Sequence, residues 1–306
     1  MRTAAPMATK EALQDSAQLS YHERFALPDA DIILRSKDDV YFRVPSITLH
    51  MTCAFFRDAL SLPQPASSAS SGGVTNNNSP GVIPIDESAL VAEQFLSIIC
   101  GLGISPALLA TFDDASALLH AAEKYEAPGV TAFVRACMGA PRFLAEPLRL
   151  FAVACRYSWE EEAAAALRLT LDIDIGKSPS FPVLATLPGP DLLRLLRVRW
   201  ARRDALKAAL DGPAFTANQD PYRCSTCQGM VDVVSWREWK WIMLDEIARV
   251  PSGETLLAES FLTSAKANAV FRPHCKAPGC ENTAFNRELT IVRIREAVRA
   301  LPKDIE

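Results

Sequence analysis

The chain has 306 residues, enough for two or three domains, and 49% of them are hydrophobic, so it can bury real cores. A formal net charge of −4 excludes polyanion binding by bulk charge. No apolar run approaches the roughly 20 residues of a membrane span. The first twenty residues hold no apolar signal core, so the eight cysteines point to a reducing, intracellular compartment, cytoplasm or nucleus.

Residues 1–24 are small and polar and are expected to form a disordered tail. Ile32, Ile33 and Leu34 make an apolar run, and Lys37-Asp38-Asp39 supplies a turn. Val40, Phe42 and Val44 then alternate with Tyr41, Arg43 and Pro45, the period of a half-buried strand. From Ile47 the period changes: Leu49, Cys53 and Phe56 recur at helical spacing, which predicts two close helices. Residues 63–81 are mostly Ser, Asn, Gly and Pro and cannot offset the entropy of ordering, so a disordered insertion is expected. Val82 to Ile85 reads as a short strand with Pro84 at an edge or an end. Three helices should follow. The first uses Val91, Phe95, Ile98, Ile99 and Leu102. The second, Ala115 to Ala127, uses Leu118, Leu119, Ala122 and Tyr125 and is ended by Pro128-Gly129. The third uses Val130, Phe133, Val134 and Cys137.

This order of elements resembles a BTB/POZ domain. The double-Phe stretch FFRDALSLPQP is similar to that of many fungal BTB domains, and LLHAAEKYEAPGV resembles the family's penultimate helix and turn. The likeness covers Asp29 to Met138, less the insertion, and places a domain at 25–140. It departs in one place: the family usually carries a His just after the second strand, where Pro45 stands here. The resemblance implies an α+β fold with a small mixed sheet and helical hairpins. It also implies a non-enzymatic interaction protein that self-associates, as a homodimer, or recruits protein partners. One family role is as adaptor of a cullin-based ubiquitin ligase. Met51, Ala54 and Phe55 offer apolar side chains near the face the family uses for association.

Residues 141–215 read as a helical extension similar in role to a short BACK region. Leu150, Phe151 and Ala154 should be buried there. Ser158 and Glu161 have capping-box spacing ahead of an Ala-rich helix to Leu171, and a break follows at 172–181. A long helix from Leu192 to Leu210 carries Arg194, Arg197, Arg199, Arg202, Arg203 and Lys207. This basic run suits nucleic-acid binding or a solvated face opposite Leu192, Leu196 and Leu206. The solvated face is preferred, because phosphate binding needs a broad basic surface. Residues 216–306 differ in character. Ser235 and Glu238 repeat the capping-box spacing, and Trp236, Trp239, Met243 and Ile247 fall on one stripe. Trp236, Trp239 and Trp241 could stack bases, but the i, i+3 pair suits core packing better. A second helix should use Leu256, Leu257 and Phe261, and a last one Ile291, Ile294, Val298 and Leu301.

The sharpest constellation is Cys224-x2-Cys227 with Cys275-x4-Cys280. Two residues between thiolates let one turn present both sulfurs to a tetrahedral zinc, and a second close pair completes the shell. His274 is an alternative ligand, and Gly229 and Gly279 let the backbone turn near the sulfurs. A closed shell is structural, with no open position for catalysis. Four ordinary reduced cysteines are the plainer alternative. Cys53, Cys100, Cys137 and Cys155 each fall on an apolar helical stripe and read as core. His120 and Glu123 sit one turn apart with no nucleophile nearby in sequence, so they read as a solvated face. No phosphate-binding loop, G-x-S-x-G or H-E-x-x-H motif is present. The expectation is therefore a non-enzyme with one structural zinc. Its rivals are a BTB transcription regulator that binds DNA through the cysteine module, and a zinc hydrolase, which needs an open coordination position.

Overall fold

The structure is a computed structural model that describes residues 20–62, 82–103, 109–215, 223–224, 226–272, 275–280 and 282–302. It is α+β and mostly helical, with two compact units, Met1–Gly139 and Ala140–Glu306. The expected insertion at 63–81 lies outside the described residues, as does the tail to residue 19.

In the first unit, β1 (Ile32–Arg35) is the middle strand of a mixed sheet. It pairs antiparallel with β2 (Tyr41–Val44) and parallel with β3 (Val82–Pro84), so that Leu34 lies opposite both Phe42 and Ile83. The tight turn between β1 and β2 needs a left-handed residue, and Asp39 supplies it at φ 61°. Residues 20–24, expected in the tail, are placed against β2: Tyr21 bridges to Tyr41, and the His22 ring stacks on Phe42 at 5.1 Å. Hydrogen bonds to both sides of the Tyr41 peptide, from His22 N–H and to Ser20 C=O, give this short segment a defined place.

After β2 come α1 (Ser46–Thr52) and α2 (Ala54–Ser61), broken at Cys53, whose extended backbone resets the helix direction. Leu49, Cys53 and Phe56 are all buried, as their spacing predicts. The first N–H of α1 has no local cap. Asp31 reaches over from the strand side and accepts from Ser46 N–H at 2.6 Å and from the Ser46 hydroxyl, which hold its carboxyl below the usual range. Asp38 does the same for α3 (Ala89–Ile99), accepting from Ala89 N–H at 2.7 Å.

Phe95 of the expected stripe is buried, together with Ala92 and Leu96, while Val91, Ile98 and Ile99 are half-buried. Leu102 lies past the helix end, where Gly101 at φ 66° closes it. α4 (Phe112–Lys124) starts earlier than predicted because Thr111 and Asp114 form a reciprocal capping box. It ends on Glu126 at φ 51°, with Ala127 N–H donating to Ala122 C=O, and Pro128 begins α5 (Pro128–Cys137) rather than ending α4. Val130, Val134 and Met138 are buried, while Phe133 and Cys137 are half-buried.

Phe42, Val44, Leu49, Phe56, Phe95 and Leu119 are each no more than 3% exposed. Phe56 stacks on Tyr125 at 5.0 Å, and Phe95 meets the same ring edge-on at 5.4 Å. The Tyr125 hydroxyl donates to Glu87, which also receives Lys124. Phe56→Ala should therefore cost about 3–5 kcal/mol in denaturant melts of the full chain. A loss under about 1 kcal/mol would mean the ring sits in no tight core.

The second unit begins with α6 (Pro141–Leu144), α7 (Pro147–Arg156) and α8 (Glu160–Leu169). Leu150, Phe151 and Ala154 are buried as expected. The capping box at Ser158 does not form, because Ser158 takes φ 55° and closes α7 instead: Trp159 N–H donates to Ala154 C=O at 2.8 Å. Two 3-10 turns and α9 (Phe181–Thr186) lead to α10 (Gly189–Asp211). Its buried face is Leu195, Val198, Leu206 and Leu210, with Arg199 and Arg202 among them. The solvated basic face is thus corrected for those two arginines, which are only 4% and 5% exposed.

α11 (Val234–Arg249) starts before Ser235, so the second predicted capping box is also absent; Asp232 accepts from Val234 N–H instead. Trp236 and Trp239 are fully buried. Trp236 lies between Phe215 and Phe285, and Trp239 packs on Phe261 and Phe271. Both indoles are core, whereas Trp241 is exposed. The predicted second helix is three short ones, α12 (Glu254–Leu257), α13 (Glu259–Leu262) and α14 (Ala265–Val270), and α15 (Arg287–Arg299) closes the unit. Gly253 precedes α12 at φ 81°, and a Cβ there would come within 2.6 Å of Val298, so only glycine fits. One core joins Leu206, Leu210, Trp236, Trp239, Ile294 and Val298, so the segments 141–215 and 216–306 share it. Among the described residues no helix is long and apolar enough to cross a membrane.

Candidate metal centre

Cys224 and Cys227 lie on a tight loop ahead of α11. Cys224 N–H donates to Gly229 C=O at 2.9 Å and Gln228 N–H to Cys224 C=O at 3.0 Å, which folds the chain back on itself. Gln228 takes the left-handed conformation this needs, at φ 58°. The two strands of the loop bridge at Arg223 and Met230, and Val231 bridges on to Cys275. Lys276 N–H donates to Met230 C=O, which docks the second loop onto the first. In that second loop Gly279 is left-handed and Cys280 N–H donates to Ala277 C=O. The residues far apart in sequence are thus held together by a few backbone hydrogen bonds.

The four sulfurs lie within 4.8 Å of one another. Cys224 and Cys280 are 3.8 Å apart and Cys227 and Cys275 3.3 Å apart. Four sulfurs at about 2.3 Å from a tetrahedral centre stand about 3.8 Å apart, so the spread suits a thiolate-bound metal. A disulfide needs about 2.05 Å, and all eight cysteines are free. His274, the alternative ligand, lies outside the described residues. Cys224 is buried and Cys227 exposed, with Cys275 and Cys280 between.

The donor set shows how the cluster takes charge. Asn282 donates from Nδ2 to the Cys224 sulfur at 3.3 Å. With the N–H groups of Cys227 and Thr226, it holds the Cys224 thiol at about 5. Cys275 is driven the other way, up to about 12: Ala277 N–H favours its thiolate, but the thiols of Cys227, Cys280 and Cys224 and burial outweigh it. The Cys224 thiol ionises readily, whereas hydrogen bonds with neighbouring sulfurs and burial keep Cys275 and Cys280 protonated. A divalent cation at the centre removes that difference. Gly229 leaves the room: a Cβ there would approach the sulfurs of Cys227 and Cys275 at 3.3 and 3.5 Å.

Asn282 was invisible in the sequence, because nothing in its spacing ties it to a cysteine far upstream. Asn282→Ala should weaken zinc binding about 10–100-fold, as outer-shell changes do. Competition against a chelating dye measures it, and an unchanged affinity would leave Asn282 a bystander.

Of the other expected positions, Met51 is 75% and Phe55 44% exposed, and Ala54 is half-buried. His120 and Glu123 are both exposed on α4. Among the remaining cysteines only Cys53 is buried; Cys100, Cys137 and Cys155 are half-buried, which corrects their reading as core. No family model matches the chain, and no curated protein matches it.

Proposed function

We propose that this chain is a non-enzymatic, intracellular protein-interaction protein whose first unit acts as a BTB/POZ-type module and whose second unit is held by one structural zinc. The observation that carries the first half is the apolar surface on the α1–α2 hairpin. Ile47 and Met51, four residues apart on α1, are 61% and 75% exposed, and Phe55, at the start of α2, is 44% exposed with its ring against Phe56 and Tyr125. Exposed apolar side chains on two successive short helices suit a protein contact. The strand pair, hairpin, third strand and helices follow the order that the family resemblance implies. The partner is a second copy of the chain or another protein, a cullin scaffold among them. For the second half, four cysteine ligands fill a tetrahedral shell, which suits a structural metal and leaves a zinc hydrolase without its open position. The basic run on α10 adds little to the DNA-binding alternative, because Arg199 and Arg202 are buried and Arg194 pairs with Glu160 at 3.1 Å.

The test compares the full chain with Met51→Asp/Phe55→Asp. Light scattering should show a dimer, or a pull-down with a cullin N-terminal domain should show binding, and the double variant should lose it with an unchanged circular dichroism spectrum. A monomer at high concentration that binds no cullin would remove this surface as an interaction site.

A further inference from the structure

We propose that the cysteine cluster is a redox switch in which a peroxide joins Cys227 to Cys275 and releases the metal while the two loops stay covalently linked. This rests on the zinc reading above. The geometry selects the pair. Cys227 and Cys275 are 3.3 Å apart, nearer than Cys224 and Cys280 at 3.8 Å. Both of these pairs take one sulfur from each loop, so oxidation along either cross-links the loops instead of closing one of them. Access selects the order. Cys227 is exposed, while Cys224 is 1% exposed and its sulfur accepts from Asn282. Gly229, next to the nearer pair, has no side chain to shield it.

The chemistry balances with hydrogen peroxide as the oxidant. The Cys227 thiolate attacks one peroxide oxygen, the O–O bond breaks, and with one proton the products are a sulfenic acid and water. The Cys275 thiolate then attacks the Cys227 sulfur, forms the S–S bond and expels hydroxide. Two sulfurs have lost two electrons and the peroxide has gained them. Zinc is not oxidised. It leaves because two of its four ligands no longer carry charge. Closing the 3.3 Å gap to about 2.05 Å needs only a small shift of two loops already hydrogen-bonded to each other.

The experiment uses the full chain. Zinc content is measured first. Hydrogen peroxide is then added in steps while a zinc-sensitive dye follows release and mass spectrometry maps disulfides. Zinc should leave in step with peroxide consumed, the first cross-linked peptide should join Cys227 to Cys275, and dithiothreitol with zinc should restore the starting state. Zinc retained under a large excess of peroxide overturns the switch, and so does Cys224–Cys227 as the first disulfide. Fresh protein without zinc overturns the metal reading itself, and the switch with it, at a separate step.

Discussion

Chelating the metal from the full chain should collapse the core around Trp236 and Trp239 and leave the first unit folded, and Cys224→Ser should do the same. The magnitude comes from two facts. Structural zinc in finger peptides has an apparent binding free energy of ~10–16 kcal/mol near neutral pH, comparable to the ~5–15 kcal/mol stability of a whole domain. Cys224 also belongs to the same buried core as Phe215, Trp236 and Phe285, so losing the metal leaves loosened loops at the edge of that core. The core itself is larger than the cysteine-bearing segment alone could build, because α10 contributes Leu206 and Leu210. Part of the binding energy is therefore not needed for folding, and the expected loss is several kcal/mol rather than the full figure. Tryptophan emission is a clean reporter: all five tryptophans, Trp159, Trp200, Trp236, Trp239 and Trp241, lie in the second unit. A red shift on chelation that zinc reverses is the expected result. Acid acts in the same direction, since protons compete for the thiolates. Cys224 sits at about 5, below its ordinary 9, so its own contribution is full only above about 9, falls as pH drops from there and is gone below about 5. Emission and melting that ignore the chelator would leave a helical unit that needs no metal.

What could be read in the sequence was what is written locally. The switch from alternating Val40, Phe42, Val44 to helical Leu49, Cys53, Phe56 fixed strand and hairpin, since each period points one face inward. The cysteine pairs were visible for a similar reason: a C-x2-C spacing is a local geometry. Features that failed were those in which distant residues compete with local rules. Ser158 and Ser235 have the right spacing for a capping box, yet Ser158 is used to close the helix before it and Ser235 lies inside a helix. Asp31 and Asp38 cap helices from the two ends of β1, and Asn282 reaches Cys224 from a loop 58 residues on. No periodicity announces such contacts.

Replacing Arg199 and Arg202 together by methionine should destabilise the second unit by more than about 5 kcal/mol, although a basic run on a helix reads as surface. Arg199 donates to the backbone carbonyls of Thr170, Ile173 and Arg249, at 2.8–3.1 Å. Arg202 donates to Pro251 at 2.7 Å, to Ser252 at 3.2 Å, and to Leu301 and Pro302. These carbonyls lie in the 3-10 turn that follows α8, at the close of α11 and just past α15, and such ends carry unpaired acceptors and partial negative charge. Two planar guanidinium forks on one helix thus satisfy chain ends from three separate stretches. Hydrogen bonds to charged groups contribute about 1.5–3 kcal/mol each, and the desolvation of the two cations subtracts from the sum. Burial pushes Arg199 down to about 10, which still leaves it protonated at neutral pH. Methionine matches the stem and removes every donor, so the cost is the loss of the forks and not of packing volume. Lysine keeps the charge but offers one point in place of a fork, so Arg202→Lys should recover less than half of the loss from Arg202→Met. Full recovery by lysine would show that charge alone matters there. Double-variant melts within about 1 kcal/mol of the parent would show that these carbonyls find other donors.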